Sequence, residues 1–273
     1  MADEAPTRPP DGDWLGTPYL RFERVGSVAH LVVDRPEMRN AMSPAMYFGV
    51  RYAIDHVNRD PDLAGLLITG AGEVFIPGGD LGGSNDDGWG NLPGLLGMDT
   101  TPFDAVRRSR KPVVCAVNGL CQGGGLVIAM LSDVAVASDR ATFRVPELYR
   151  GIADTSYAQL LPRQIGPARA RDLMFTGRVL DAETAVDWGL VARLAPHDEL
   201  SAVAEDCLEW ACRTAPEARA AVKKSFHDYY GSYDRMAMDA SLSSAEAVEG
   251  FGAFKDRRNP DWVPEDIRTD GRL

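Results

Sequence analysis

The chain has 273 residues, enough to bury a substantial core, and its 45% hydrophobic and 25% charged content is that of an ordinary globular protein. The net charge of −11 disfavours general binding to nucleic acid or to an anionic membrane surface. An anionic ligand would need local hydrogen-bond donors rather than a global positive field.

The N-terminal "MADEAPTRPPDGDWLG" is acidic and Pro-rich and lacks the basic and apolar regions of a signal peptide; residues 1–17 are expected to form a flexible tail. "YLRFERVGSVAHLVVDRP" reads as a hairpin turning at Gly26-Ser27 and stopped by Pro36. "SPAMYFGVRYAIDHVNRDP" predicts a helix with Ser43 as N-cap, Pro44 at the first helical position, and an apolar face of Met46, Val50, Ile54 and Val57. "LAGLLITGAGEVFIPGGDLGG" predicts a buried strand, a Gly turn, a second strand and a Gly-rich loop. Residues 82–101 read as a long loop whose Trp89, Leu92, Leu95, Leu96 and Met98 would make an apolar wall. "FDAVRRSR" reads as a helix, and "KPVVCAVNGLCQGGGLVIAMLSDVAVAS" as strand, Gly turn, apolar helix starting near Leu126, and strand. "TFRVPELYRGIAD" gives a short strand and a loop, and from "SYAQLLPRQIG" onward the chain is mainly helical. Strand–strand–helix units followed by helices predict stacked sheets wound into a core with a helical appendage.

Cys115, Cys121, Cys207 and Cys212 form no CxxC pair and read as small reduced core residues. His30, His56, His197 and His227 show no metal-ligand spacing, so no metal site is expected. No apolar run reaches membrane-spanning length, and the expectation is a cytoplasmic protein without nucleic-acid or membrane partners.

Two Gly-rich turns carry possible chemistry. In "FIPGGDLGG" and "NGLCQGGGLVIAM" a strand runs into glycines, and the second turn opens a helix. Free N–H groups at a helix start suit a developing negative charge, so the amides of Gly124 and Gly79 are candidate oxyanion donors. The alternative is a pair of tight turns needed only for packing. GxxxxGK[ST] and GxGxxG are both absent, which argues against phosphate-loop and dinucleotide folds. "RVPELYRGIADTSY" adds two carboxylates, Glu147 and Asp154, in a mostly apolar setting. For Asp154 two roles stay open, a helix cap before "SYAQLLPRQI" or a catalytic group. Tyr157 is read either as a donor to substrate or as a packed core residue.

From about residue 18 to 262 the chain resembles the enoyl-CoA hydratase/isomerase (crotonase) superfamily. "DRPEMRNAMS" looks like its first CoA-contacting segment, and "FIPGGDL" resembles its F-x-A-G-x-D-L loop with Pro77 in place of a small residue. "NGLCQGGGLVIAMLSDVAVASDRATFRVPE", "LPRQIGPARARDLMFTGRVLDAETAVDWGLVARL" and "EGFGAFKDRRNPDW" resemble the following blocks in the same order. The resemblance implies an α/β fold, a crotonase-type spiral of repeated ββα units. Residues 18–200 would form this core, and 201–273 a C-terminal helical trimerisation region. It implies an acyl-CoA substrate, an oxyanion hole at Gly79 and Gly124, and a CoA path near Arg39, Ala41, Asp80 and Leu81. It also implies a homotrimer or dimer of trimers, and no cofactor beyond the coenzyme A that is part of the substrate.

A hydratase of this family carries one Glu two positions after GGG and a second in the "PE" motif; here the first position is Val127 and the second is Glu147. Asp154 falls where dienoyl-CoA isomerases and chlorobenzoyl-CoA dehalogenases carry a working Asp, and some ring-cleaving hydrolases keep one in this loop. The leading expectation is enoyl-CoA double-bond isomerisation by Glu147, alone or with Asp154. The alternatives are an enoyl-CoA hydratase (a lyase), a CoA-ester hydrolase, dehalogenase or ring-cleaving enzyme using Asp154, and a weakly active acyl-CoA binder.

Overall fold

The computed structural model describes residues 14–80, 102–231 and 235–269. The hairpin forms as expected, with β1 (Leu20–Val25) antiparallel to β2 (Val28–Val33). Alternate residues Ala29, Leu31 and Val33 of β2 point into the core. A 3₁₀ turn (Pro36–Met38) leads to α1 (Pro44–Arg59). Ser43 caps α1, its hydroxyl accepting from the Met46 amide at 3.4 Å, and Pro44 sits where a helix needs no donor. The predicted face of Met46, Val50, Ile54 and Val57 is buried, and so are Tyr47, Phe48 and Gly49, so the start of the helix is enclosed all round.

Strand pairs then alternate with helices: β3 (Gly65–Gly70), β4 (Val74–Ile76) and α2 (Pro102–Arg108). Next come β5 (Val113–Val117), β6 (Leu120–Gln122) and α3 (Gly124–Leu131), then β7 (Val134–Ser138) and β8 (Thr142–Arg144). The first strand of each pair joins one sheet and the second joins the other. Among the described residues the larger sheet runs β1-β2-β3-β5-β7-β10 and the smaller β4-β6-β8-β9, with β10 (Arg193–Ala195) and β9 (Leu180–Asp181) supplied from the later chain. Apart from β1–β2 and β8–β9, neighbouring strands are parallel. This winding is the spiral of ββα units that the resemblance implies. β5 is buried along its whole length, as a parallel strand covered on both faces must be.

A 3₁₀ turn (Glu147–Arg150) follows β8, then α4 (Thr155–Ile165), α5 (Pro167–Thr176) and α6 (Ala182–Trp188). The remaining helices are α7 (Leu200–Cys212), α8 (Pro216–Tyr230), α9 (Arg235–Leu242) and α10 (Ala245–Asp256). α7 covers the outer face of the larger sheet, packing Leu200, Ala204, Cys207 and Leu208 against Leu67, Val114, Ala116 and Val136.

The structure departs from the sequence reading in several places, among them the short strands β9 and β10, which fall where the chain reads as mainly helical. β6 stands where only a Gly turn is expected, because a three-residue strand has no readable period and exists through its pairing with β4 and β8. α3 begins at Gly124 rather than near Leu126, since Gly123 turns the chain with φ +56° and two glycines enter the first helical turn. Within the segment read as a tail, Leu15 and Thr17 are buried and the Trp14 ring meets Phe22 edge-on at 5.1 Å.

One buried network holds the loop after β4. Arg35 Nη1 donates to Asp80 Oδ2 at 2.9 Å and to the Ala41 carbonyl at 3.0 Å, with the two charged side chains 1% and 5% exposed. The guanidinium also lies over the Tyr19 ring, 4.9 Å from its centroid. The Arg35 amide donates to Asn40 Oδ1, and Asn40 Nδ2 donates to the carbonyls of Ala71 and Val74. Removing one partner of a buried pair strands the other charge. Asp80→Ala is therefore expected to cost about 3–5 kcal/mol of folding stability. Breaking the exposed Arg21–Glu23 pair should cost no more than about 1 kcal/mol. Urea unfolding of the two variants checks the contrast.

Candidate active site

Strands β4, β6 and β8 are adjacent and parallel, so their carboxyl ends finish on one edge of the smaller sheet. That is where parallel sheets place ligands. β4 delivers Gly78 and Gly79, β6 delivers Gly123 and Gly124, and β8 delivers Glu147. The two glycine turns touch. A Cβ on Gly123 would lie 2.9 Å from Gly78 Cα and 3.5 Å from Glu147 Oε1. The residues singled out from separate parts of the sequence thus converge.

Two peptide groups in these turns are oriented by what holds their carbonyls. The Gly78 carbonyl accepts from the Met42 amide at 2.9 Å, and Asp80 N–H donates back to the Met42 carbonyl at 2.9 Å. The Gly123 carbonyl accepts from the amides of Leu126 and Val127, at 3.0 and 3.2 Å, and from the Tyr157 hydroxyl at 2.6 Å. In a trans peptide the N–H points opposite to the preceding C=O. Tying these oxygens therefore turns the amides of Gly79 and Gly124 the other way. Among the described residues neither amide donates a hydrogen bond. Gly124 is also the first residue of α3, where a helix leaves its N–H groups free. Tyr157 is thus a packed residue that aims the turn.

Glu147 is 9% exposed, and its Oε2 is fully enclosed without a hydrogen-bond partner among the described residues. Burial raises its pKa from 4.5 to about 8. The charge of Asp154 adds to the rise, while its own backbone amide, Arg150 and Arg144 oppose it. The turn carrying Glu147 is buttressed by α10: the Arg150 guanidinium lies 4.1 Å from the Phe254 ring centroid, and a Cβ on Gly250 would reach the Arg150 backbone at 2.5 Å.

Asp154 is part-buried and caps α4. Its Oδ1 accepts from the Ser156 amide at 3.0 Å, the Tyr157 amide at 3.4 Å and the Ser156 hydroxyl. Burial raises its pKa, and these hydrogen bonds oppose the rise. Oδ2 makes no hydrogen bond among the described residues. The capping role read from the sequence therefore uses one oxygen and leaves the other, while the carboxylate is near enough for its charge to raise Glu147.

Arg39 is exposed, closes the 36–38 turn with φ 52°, and makes no ion pair among the described residues. Ala41 is part-buried with its carbonyl on Arg35, and the Asp80 carboxylate is committed to Arg35. Leu81 and the apolar wall expected at Trp89, Leu92, Leu95, Leu96 and Met98 lie outside the described residues. Val127, in the first turns of α3, is buried in the main hydrophobic cluster. One neighbour was missed at the sequence level. The Tyr47 hydroxyl, from α1, lies directly against Gly124. A lone Tyr beside an apolar helix face carries no mark that separates it from core packing.

Among the described residues no group of three or more His, Cys, Asp and Glu side chains could hold a metal, and no helix is long and apolar enough to cross a membrane. Burial pushes the Cys115 thiol up to about 12, far from a reactive thiolate. A cavity of ≈ 810 Å³ between α3, β7 and α8 includes none of the residues above, and its Lys223 and Asp133 already pair at 2.6 Å.

The family model for Enoyl-CoA hydratase/isomerase matches residues 23–265. A mevalonyl-coenzyme A hydratase of Aspergillus fumigatus is 34% identical, covering 87% of this chain and 92% of that protein. A carnitinyl-CoA dehydratase of Salmonella arizonae is also 34% identical, over 89% of this chain and 97% of its own. Among solved structures, an enoyl-CoA hydratase/isomerase from Pseudoalteromonas atlantica T6c superposes with a TM-score of 0.77 at 28% identity, covering 90% of this chain and 100% of that one. The order of the glycine turns, the winding of the two sheets and these matches agree: the chain belongs to the enoyl-CoA hydratase/isomerase (crotonase) family.

Proposed function

We propose that this protein moves a proton at the carbon beside the carbonyl of an acyl-CoA thioester, through an enolate, and that its reaction is the shift of an enoyl-CoA double bond from the 3- to the 2-position. The observation that carries this reading is Glu147: a buried carboxyl with a pKa of about 8 and, among the described residues, one unpartnered oxygen, beside two glycine turns whose amides are unused among those residues. The Glu147 carboxylate takes a proton from the α-carbon. The electron pair delocalises onto the thioester oxygen, which the amides of Gly79 and Gly124 hold. The carboxylic acid so formed returns the proton to the γ-carbon, leaving the 2-enoyl product and the starting carboxylate. A pKa near working pH suits a group that must both accept and release a proton. No metal or redox cofactor is needed, because no electrons leave the substrate. The apolar Val127 supports proton shuttling over water attack, since a hydratase would use a second carboxylate there to handle water.

The CoA portion would run along the 39–41 segment and the loop at Asp80 and Leu81, with Arg39 available for its phosphates. A homotrimer or dimer of trimers is supported by the exposed Trp210, Val222, Phe226, Met236 and Val248 of the C-terminal helices. Light scattering should read a multiple of three chains, and a monomer would contradict this.

A second reading is hydration or dehydration between a 2-enoyl-CoA and its 3-hydroxyacyl-CoA. It is favoured by the names of the curated relatives and by Asp154, whose Oδ2, unbonded among the described residues, would take over the handling of water. Asp154→Asn separates the two readings, because Asn keeps the helix cap and removes the acid. Isomerisation by Glu147 alone predicts that Asp154→Asn retains most activity, while Glu147→Gln loses about 10²–10⁴-fold in kcat. Dehydration through the pair predicts a comparable loss in both variants. Parallel assays of double-bond shift and hydration decide, and robust turnover in Glu147→Gln contradicts both readings.

The raised pKa of Glu147 also fixes a pH dependence. Folded protein binds a proton that the unfolded chain has already released between pH 4.5 and about 8, so stability falls as pH rises through this window. A base must be ionised, so activity rises through the same window. Glu147→Gln should melt progressively higher than the wild type as pH increases from about 5 to about 9. Scanning calorimetry across that range checks it, and a pH-independent difference would contradict the buried carboxyl.

A further inference from the structure

Tyr47 stands in the enclosed opening turn of α1 and is 2% exposed. Its ring meets that of Phe103 edge-on, 6.2 Å between centroids. A buried phenol ordinarily finds a hydrogen-bond partner, as Tyr157 does at the Gly123 carbonyl. The Tyr47 hydroxyl is a buried donor without a partner among the described residues.

The Tyr47 ring stands at the site. A Cβ on Gly124 would collide with Tyr47 Oη and lie 2.9 Å from Cε1 and 3.1 Å from Cζ, so the ring sits directly against the Gly124 backbone. This contact also explains why no larger residue fits at 124. Glu147 and Asp154 are both near enough that their charges add to burial in holding the Tyr47 pKa above the ordinary phenol value. A phenol in that position keeps its proton throughout the working pH range and can serve as a donor. Glu147 Oε2 and Tyr47 Oη do not bond to each other, although each lacks a partner among the described residues.

We propose that Tyr47 is a catalytic residue of this site, its hydroxyl donating a third hydrogen bond to the enolate oxygen held by the amides of Gly79 and Gly124. The inference rests on the acyl-CoA enolate reading and adds to it a neutral donor that arrives from α1, an element outside the two glycine turns. A hydrogen bond to a charged acceptor gains more than one to a neutral acceptor, so the donor favours the enolate over the ground-state thioester.

The test uses acetoacetyl-CoA, an enolisable thioester whose enolate is followed by its ultraviolet absorbance. Wild type and Tyr47→Phe are saturated with it at one fixed pH, and the bound enolate fraction is read in each. Phe keeps the ring packing, and a melting curve verifies the fold. Affinity for a CoA thioether lacking the carbonyl is measured in parallel. The expected result is a bound enolate-to-keto ratio about 10- to 100-fold lower in Tyr47→Phe, with thioether affinity unchanged. Equal ratios in the two proteins overturn the role of Tyr47 and leave the enolate reading standing. A matching loss of thioether affinity shows only disturbed packing and likewise overturns it. Wild type that fails to bind the probe, or binds it without enolate, overturns the enolate reading and the role of Tyr47 together.

Discussion

The site depends on where two carbonyl oxygens are tied. Gly78 C=O is held by the Met42 amide, and Gly123 C=O by the first turn of α3 and the Tyr157 hydroxyl. Because a peptide is planar and trans, each tie turns the following N–H away from the protein's own acceptors. Among the described residues the amides of Gly79 and Gly124 are left unused at neighbouring points by the same bonds that hold their loops. The buried Arg35–Asp80 pair and the Asn40 side chain stand behind the first tie. Tyr157 stands behind the second, and its own amide reaches the Asp154 cap. Loop position, helix capping and donor orientation are thus one connected structure.

Enclosing Glu147 is the cost of that arrangement. A buried carboxyl oxygen with no partner among the described residues opposes folding wherever the group is ionised. Nearby guanidinium groups temper it without neutralising it, since each is held elsewhere. Arg144 donates to the Gly177 carbonyl at 2.5 Å, and Arg150 lies over Phe254. Both stay near enough to lower the Glu147 pKa, yet burial and Asp154 prevail. The C-terminal helix α10 therefore contributes to the electrostatics of Glu147 by fixing where Arg150 sits. A carboxyl perturbed by burial and by a neighbouring charge, in a turn held by the surrounding fold, marks a candidate functional site.

Much of this was legible in the sequence, for reasons that differ by element. The hairpin, the Ser43 cap and the continuous apolar run of β5 are written in local patterns of turn residues and periodicity. β6, β9 and β10 are not, since strands of two or three residues exist only through partners far along the chain. Glu147 stood out as a carboxylate after Pro146 at a strand end, framed by the glycine turns. What could not be read was that one of its oxygens is sealed off. For Asp154 the sequence offered cap or chemistry as alternatives, and the structure shows Oδ1 capping with Oδ2 left over. Tyr47 was invisible, because its meaning comes from Gly124, which only the tertiary fold brings against it.

The central claim is that Glu147 removes the proton α to a thioester carbonyl, and hydrogen exchange tests it without requiring the true substrate. A saturated acyl-CoA incubated with the protein in deuterated water should lose its α-proton signal in the NMR spectrum. Steady exchange is expected in the wild type, and its collapse in Glu147→Gln. Exchange that continues at the wild-type rate in Glu147→Gln, or none in the wild type with the thioester bound, would contradict it.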